Sequence, residues 1–83
     1  MGRSRQPRPK KLAKKLRDIR LRLGLTQKEM FEQLKDKQIP LYLGHISLFE
    51  TGQRIPSLLV LLKYARASGI AMEAIVDDDL NLP

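Results

Sequence analysis

The chain contains no cysteine, no tryptophan and only one histidine, His45, among its 83 residues. Without cysteine it can form neither a disulfide framework nor a thiolate zinc site. A single histidine without companions does not make a conventional metal cluster, so we expect no metal and no cofactor. The absence of cysteine is also consistent with a reducing, cytoplasmic environment.

Long apolar runs and phosphate-cradling glycine loops are absent as well. The longest apolar run, from Leu58 to Leu62, is far shorter than the roughly 20 residues of a membrane span. The basic N-terminus lacks the apolar stretch of a signal peptide. The few carboxylates lie near basic residues or in a C-terminal cluster, which does not indicate an active site. We therefore expect no membrane partner, no small-molecule substrate and no enzymatic activity.

The chain carries an excess of positive charge, with a formal net charge of +7. Ten lysines and arginines occur in the first 22 residues, where Asp18 alone opposes them, whereas Asp77, Asp78 and Asp79 crowd the C-terminus. A basic surface on a small domain favours polyanions such as nucleic acid or anionic membrane. The asymmetry predicts different partners for the two ends.

The N-terminal half is predicted to form an arm followed by two helices. Residues 1–9 hold two prolines, three arginines and almost no apolar side chain, which predicts a flexible basic arm. Residues 10–76 are expected to fold as one domain. Its first helix begins near Lys10, has an apolar stripe and ends at Gly24. That stripe comprises Leu12, Leu16, Ile19 and Leu23.

A capping box of Thr26 and Glu29 predicts the start of a second helix, which we expect to run to about Asp36. Met30, Phe31 and Leu34 would form its inner face. Residues 36–40 are a connection. A third helix is expected to begin between Pro40 and Leu43, to bury Ile46 and Phe49, and to stop at Gly52, with His45, Ser47 and Leu48 outward.

Ser57 is a suitable N-cap for a fourth helix that ends near Gly69, and residues 72–76 could form a fifth. The fourth helix would bury Leu58, Leu61, Leu62 and Ala65. The fold class is therefore predicted as all-α, a compact bundle of four to five helices. Residues 77–83 are expected to be an acidic tail whose apolar members either close the core or contact a second copy.

Two sequence motifs indicate a particular type of helical bundle. The segment LGLTQKEM at residues 23–30 is followed by ISLFETGQRIPSL at residues 46–58. Their elements LGLTQ, ISxxExG and RxPSL occur in an order that resembles the Cro/CI (XRE) helix-turn-helix family of phage repressors, over roughly residues 12–76. The resemblance implies a lambda-repressor-like fold whose third helix, about residues 41–51, enters the major groove of DNA. The resemblance also implies that the chain is a bacterial or phage protein associated with the nucleoid.

The resemblance also implies roles for individual residues. Phosphate contacts are expected from Gln27, Lys28, Thr51, Gln53 and Arg54, and base contacts from Leu43, Gly44, His45, Ser47 and Leu48. Arg20 and Glu50 would form a structural ion pair. Arg3, Arg5 and Arg8 of the arm could add minor-groove or phosphate contacts, or could simply be solvated.

The sequence departs from the family between helices 2 and 3. Eleven residues separate Leu34 from Ile46, several more than is usual in the family. Either the connection is an extended loop, or the third helix gains a turn at its front. Because the front of that helix offers few polar groups, Lys35, Lys37, Gln38 and Tyr42 could supply polar contacts to DNA.

The resulting hypothesis is a transcriptional regulator, a repressor that binds double-stranded DNA as a homodimer. An alternative is an antitoxin or another protein-interaction module with the same fold. A toxin-like reading frame beside the gene would favour the alternative. An isolated gene with an inverted repeat upstream would favour the regulator.

Overall fold

Five helices make up the described part of the chain, residues 9–83 of a computed structural model. They are α1 (Leu12–Arg22), α2 (Gln27–Leu34), α3 (Leu43–Glu50), α4 (Leu58–Ser68) and α5 (Met72–Val76). Within residues 9–83 the only β-type pairing is an isolated bridge between Asp36 and Ile39. The all-α class expected from the sequence is therefore confirmed.

One hydrophobic core joins the helices. Helix α3 packs against α1 and α2, α2 also packs against α4, and α5 closes the bundle against α1 and α4. The core side chains are those of Leu12, Leu16, Ile19, Met30, Leu34, Leu41, Ile46, Phe49, Val60, Leu61, Tyr64, Ala65 and Ile75. Burial of this apolar surface is the main stabilising term for a domain of this size.

Local signals set the helix ends. Thr26 Oγ1 accepts from the Glu29 N–H at 3.1 Å, and the Glu29 carboxylate accepts from the Thr26 N–H at 2.8 Å, which is the predicted capping box. Ser57 caps α4 as predicted. Gly69 ends α4 with a left-handed φ of 72°, a conformation that costs other residues more.

Helix α2 is shorter than predicted, because it ends at Leu34 and not near Asp36. Lys35 has extended backbone angles, and Asp36 opens a tight turn. Its carboxylate accepts from the Gln38 N–H and its carbonyl accepts from the Ile39 N–H. Aspartate favours such local bonds over helix continuation.

The predicted inner face of α4 is confirmed for Leu61 and Ala65 and is wrong for Leu58 and Leu62. Leu58 is 71% exposed and Leu62 is half-buried, whereas Val60 and Tyr64 are buried with Leu61 and Ala65. Two smaller corrections concern Leu23, which lies beyond the end of α1 and is exposed, and Phe31, which is half-buried against the edge of the core. In α4 the nearly continuous apolar run fits more than one helical stripe, and packing selects among them.

Residues 77–83 lie along α1. The Asp78 carboxylate accepts from the N–H groups of Lys10 and of the N-cap residue Lys11 at 2.8 and 3.0 Å, and so supplies a hydrogen-bond acceptor that the start of α1 lacks locally. The Lys15 ammonium is buried and donates to the carbonyls of Ala74, Asp77 and Leu80 at 2.7 to 2.8 Å. The segment is therefore packed on the domain, and Leu82 contacts the core.

Candidate nucleic-acid interface

The orientation of α3 relative to α1 and α2 is fixed at Glu50, the last residue of α3. Arg20 of α1 donates to both Glu50 carboxylate oxygens, at 2.7 Å from Nε and 3.0 Å from Nη2. The Gln27 amide of α2 donates to the same carboxylate at 3.3 Å. Arg20 Nη1 also donates to the Leu25 carbonyl at 2.8 Å, at the junction between α1 and α2. Three helices therefore meet at one carboxylate.

This ion pair is largely removed from solvent, since the side chains of Arg20 and Glu50 are 13% and 4% exposed. The hydrogen bond to Glu50 raises the pKa of Arg20. A bidentate pair of this kind is strong and directional. The predicted partners thus lie in contact, and their geometry suits a structural role and leaves neither free to bind DNA.

The residues expected to read bases differ in exposure. Leu43 and Gly44 are exposed at the front of α3, whereas His45, Ser47 and Leu48 are half-buried. The expectation that these last three point outward therefore holds only in part. The amides of Gln53 and Arg54 both donate to the Leu48 carbonyl, so the segment after α3 folds back over its end.

His45 is held by its neighbours. Its Nδ1 accepts from the Tyr42 N–H at 3.2 Å, and its ring packs edge-on to Tyr42 and lies 6.1 Å from the Phe49 ring centroid. Burial first, and then the positive charge of Arg54, lower the pKa of His45. Both effects favour the neutral imidazole over the imidazolium.

The expected phosphate-binding residues flank α3. Lys28, Thr51, Gln53 and Arg54 are exposed, and Gln27 is half-buried against Glu50. Thr51 Oγ1 donates to the Ser47 carbonyl and accepts from the Gln53 amide, so the two polar side chains are ordered together. The three arginines expected to act from the arm, Arg3, Arg5 and Arg8, lie outside the described residues.

The additional residues between α2 and α3 form a loop, residues 35–42, and α3 keeps only eight residues. Leu41 anchors this loop in the core, and Asp36 forms an ion pair with Lys63 of α4 at 3.1 Å. Lys35, Lys37, Gln38 and Tyr42 are exposed along it. The sequence analysis missed Leu41, whose position after Pro40 offers no periodic signal.

The distribution of charge around α3 is the most informative feature. We define the α3 surface as the exposed parts of residues 37–57. Among these residues Glu50 is the only acid, and it is buried and paired. Lys37 and Arg54 are exposed cations on the same surface. Within residues 37–57 the α3 surface therefore presents positive charge and polar groups without an exposed carboxylate, and the exposed Asp36 that borders it is paired with Lys63.

Comparison with known proteins gave no support for a family. No protein-family model matches the chain, and no curated protein shows significant sequence similarity to it. Within residues 9–83, no three histidine or acidic side chains converge as metal ligands would. None of the helices in that range is long and apolar enough to cross a membrane.

Proposed function

We propose that the chain binds double-stranded DNA in a sequence-dependent manner and acts as a transcriptional repressor, with α3 in the major groove. The observation that carries this proposal is the α3 surface, whose one carboxylate, Glu50, is neutralised by Arg20. A helix can enter the major groove only if its exposed face tolerates the surrounding phosphates. The α3 surface meets this electrostatic requirement.

Rigidity supports the same proposal. Recognition of base edges requires a helix that keeps its position against the phosphate backbone. Arg20, Glu50 and Gln27 join α1, α2 and α3 through hydrogen bonds of 2.7 to 3.3 Å. Gln27 keeps a second amide hydrogen for a phosphate oxygen, at a helix start whose free amides favour anions.

Contacts to phosphate and to bases would be divided between two groups. Lys28, Thr51, Gln53 and Arg54 are exposed at either side of α3 and would bind the backbone. Leu43 and Gly44 offer apolar contact, which suits a thymine methyl group, and Ser47 offers a hydroxyl to a base edge. His45 contributes a neutral ring, and Leu48 contributes the part of its side chain that remains accessible.

We further propose a homodimer on DNA, because helix-turn-helix proteins commonly bind two half-sites about one helical turn apart. The predicted contact lies in residues 77–83. Leu80 is exposed there, whereas Leu82 packs against the core. The dimer contact at this segment stays a prediction, and sedimentation of the protein with and without a two-site duplex tests it.

The decisive experiment is selection of duplexes from a random pool. Enrichment of a common site, with pseudo-two-fold symmetry for a dimer, supports the proposal. The affinity for that site should fall steeply with salt: for each tenfold increase in salt concentration, log K should decrease by about 0.9 for every phosphate that the protein neutralises. A pool that stays random after several rounds, or an affinity independent of salt, contradicts the proposal.

A second candidate function is that of a protein-interaction module such as an antitoxin. One observation favours it, namely that Ile55, Leu58 and Leu59 are exposed together at the start of α4. Apolar side chains grouped on a surface commonly mark a protein contact. Failure of the duplex selection would favour this candidate over the first.

A further inference from the structure

The start of α3 is capped by the side chain of His45. The N-cap residue, Tyr42, has extended backbone angles, and its phenol makes no capping hydrogen bond. Its N–H donates instead to His45 Nδ1 at 3.2 Å. His45 thus fills the place that Glu29 fills at the start of α2, where the carboxylate accepts from the Thr26 N–H.

We propose that His45 is a positioning residue whose neutral form sets the start of α3, so that protonation of His45 weakens binding to duplex DNA. This inference rests on the proposed function and adds a regulation by pH to the same site. Nδ1 can accept from the Tyr42 N–H only when its proton is on Nε2 alone. In the imidazolium both nitrogens are donors, and the cap is lost.

The groups around His45 disfavour its protonated form, because they include a cation and no free carboxylate among the residues that line it. Arg54, in the segment between α3 and α4, is the charged group that faces it. The other neighbours are the rings of Tyr42 and Phe49 and an uncharged lining of Pro40, Leu41, Ile55, Ser57 and Val60. Glu50, on the same helix, is bound to Arg20. A positive charge at the start of α3 is also disfavoured by the helix dipole.

The direction in which acid changes the affinity for DNA distinguishes this inference from simple attraction between a protonated histidine and phosphates. A histidine that only faces phosphates binds DNA more tightly when it is protonated, because it adds a cation. His45 acts in the opposite direction, since its protonation breaks the hydrogen bond that orders Leu43 and Gly44. The neutral tautomer also leaves Nε2 as a donor, which suits purine N7, guanine O6 or thymine O4.

The cap is tested in the free protein by nuclear magnetic resonance between pH 8 and 5. We expect His45 to titrate below its ordinary pKa, with nitrogen shifts that place the proton on Nε2 at high pH. Beyond the intrinsic pH dependence, amide exchange of Tyr42, whose N–H donates to His45 Nδ1, and of His45, whose N–H donates to the Tyr42 carbonyl, should become faster as His45 is protonated. In His45→Gln, whose amide oxygen still accepts but does not titrate, this additional change should be absent. Amide exchange rates that do not respond to the protonation of His45 would overturn the inference, and this test does not involve DNA.

The effect on binding is measured with a duplex selected from the random pool and a shuffled duplex of the same length, at pH 8 and 5.5 and constant ionic strength. We expect the wild type to lose affinity for the selected duplex as His45 becomes protonated, by up to about fivefold, the equivalent of one helix cap. His45→Gln, compared with itself at the two pH values, should show a ratio near one. Equal or tighter wild-type binding at pH 5.5, or the same loss in His45→Gln, would overturn the inference. Circular dichroism checks that each protein is folded at both pH values.

If the wild type selects no duplex at any pH, the proposed function fails, and the exchange experiment still decides whether His45 caps α3. If the wild type selects a duplex but its affinity does not fall with acid, the proposed function stands and the regulation by His45 fails. The two failures are therefore distinguishable.

Discussion

Arg20 and Glu50, thirty positions apart in the chain, form a doubly hydrogen-bonded ion pair that joins α1 to the end of α3. Removal of one partner leaves the other charge buried without compensation, which is costly, whereas removal of both is tolerated better. We expect Arg20→Met to lower the free energy of unfolding by about 3 kcal/mol. The double variant Arg20→Met with Glu50→Leu should recover more than half of that loss. Urea unfolding of the wild type, of the single variants Arg20→Met and Glu50→Leu, and of the double variant measures both effects, and additive losses would contradict a coupled pair.

The buried phenol of Tyr64 predicts an unusual substitution effect. Tyr64 is fully buried, and its hydroxyl has no hydrogen-bond partner among residues 9–83. Burial, with a further contribution from Glu50, raises the pKa of this phenol far above its ordinary value. Because an unpaired buried hydroxyl costs stability, Tyr64→Phe should leave the free energy of unfolding unchanged or raise it by up to about 1 kcal/mol. Tyr42→Phe, at an exposed ring, is the matched control, and a clear loss in Tyr64→Phe alone would show that the hydroxyl is bound.

The buried ammonium of Lys15 holds the C-terminal segment on the domain. It donates to three backbone carbonyls and is only 5% exposed. Lys15→Met keeps the length of the side chain but removes the ammonium donor from the carbonyls of Ala74 and Leu80, while the Asp77 carbonyl still accepts from the Leu80 N–H. We therefore expect a loss of about 2 kcal/mol in the free energy of unfolding. Lys14→Met, at a side chain that is 84% exposed, should change it little. Equal effects of the two substitutions in denaturant titrations would refute the role of Lys15.

Asp78 predicts a dependence of stability on acid. The N–H groups of Lys10 and Lys11, as the largest causes, lower the pKa of its carboxyl group. A carboxyl group with a lowered folded-state pKa stabilises the fold above its unfolded pKa of about 4, and this stabilisation is lost as the pH falls through the folded value. Asp78→Asn should therefore melt at a lower temperature than the wild type at pH 7, and the difference should shrink below pH 4.

The matched control for this prediction is Asp79→Asn. No residue in the range 9–83 donates a hydrogen bond to the Asp79 carboxylate, although the residue is adjacent in sequence. Thermal unfolding of both variants between pH 7 and 2.5 separates the cap from the general effect of acidic charge. A difference that persists unchanged to pH 2.5 would show that the ionised carboxylate of Asp78 is not the stabilising group.

The proposed contacts to DNA predict two kinds of variant. Arg54→Ala should weaken binding to all duplexes alike and lower the salt slope by about 1, because it removes a phosphate contact. Ser47→Ala should change the ranking of duplex sequences, by roughly 1 to 3 kcal/mol at a contacted base pair. Arg22→Ala removes the same charge beside Pro83, away from the α3 surface, and is the control. If Arg54 and Ser47 variants change the ranking in the same way, the assignment of the α3 surface is wrong.

The sequence predicted the elements whose signals are local. The Thr26 and Glu29 box, the Ser57 cap and the turn at Gly69 depend on a few neighbouring residues, and each helix start or end is found where those residues placed it. Two helix bounds deviated: α1 begins at Leu12 and not near Lys10, and α2 ends at Leu34 because the turn at Asp36 competes with the helix.

The features that could not be predicted from the sequence depend on tertiary packing. The run from Leu58 to Leu62 is apolar on every face, so periodicity could not decide that Val60 and Tyr64 would be buried and Leu58 exposed. The burial of Lys15 and the cap from Asp78 join positions 59 to 68 residues apart, for which a single sequence carries no signal. At the candidate site, the half-burial of His45 and its hydrogen bond to the Tyr42 N–H likewise depend on the folded structure and have no signal in the sequence.

The cap that Asp78 places on α1 has a consequence for synthesis of the chain. Helix α1 leaves the ribosome before α2 to α5, yet an N–H group at its start receives its hydrogen-bond acceptor from a residue 68 positions later. Until that residue emerges, the start of α1 is uncapped and Lys15 lacks its three carbonyl partners. Contacts of such long sequence separation close the largest loops and form slowly. The nascent chain therefore cannot complete its fold progressively from α1 onward, because the start of α1 gains these bonds only after a segment 68 positions later has been translated.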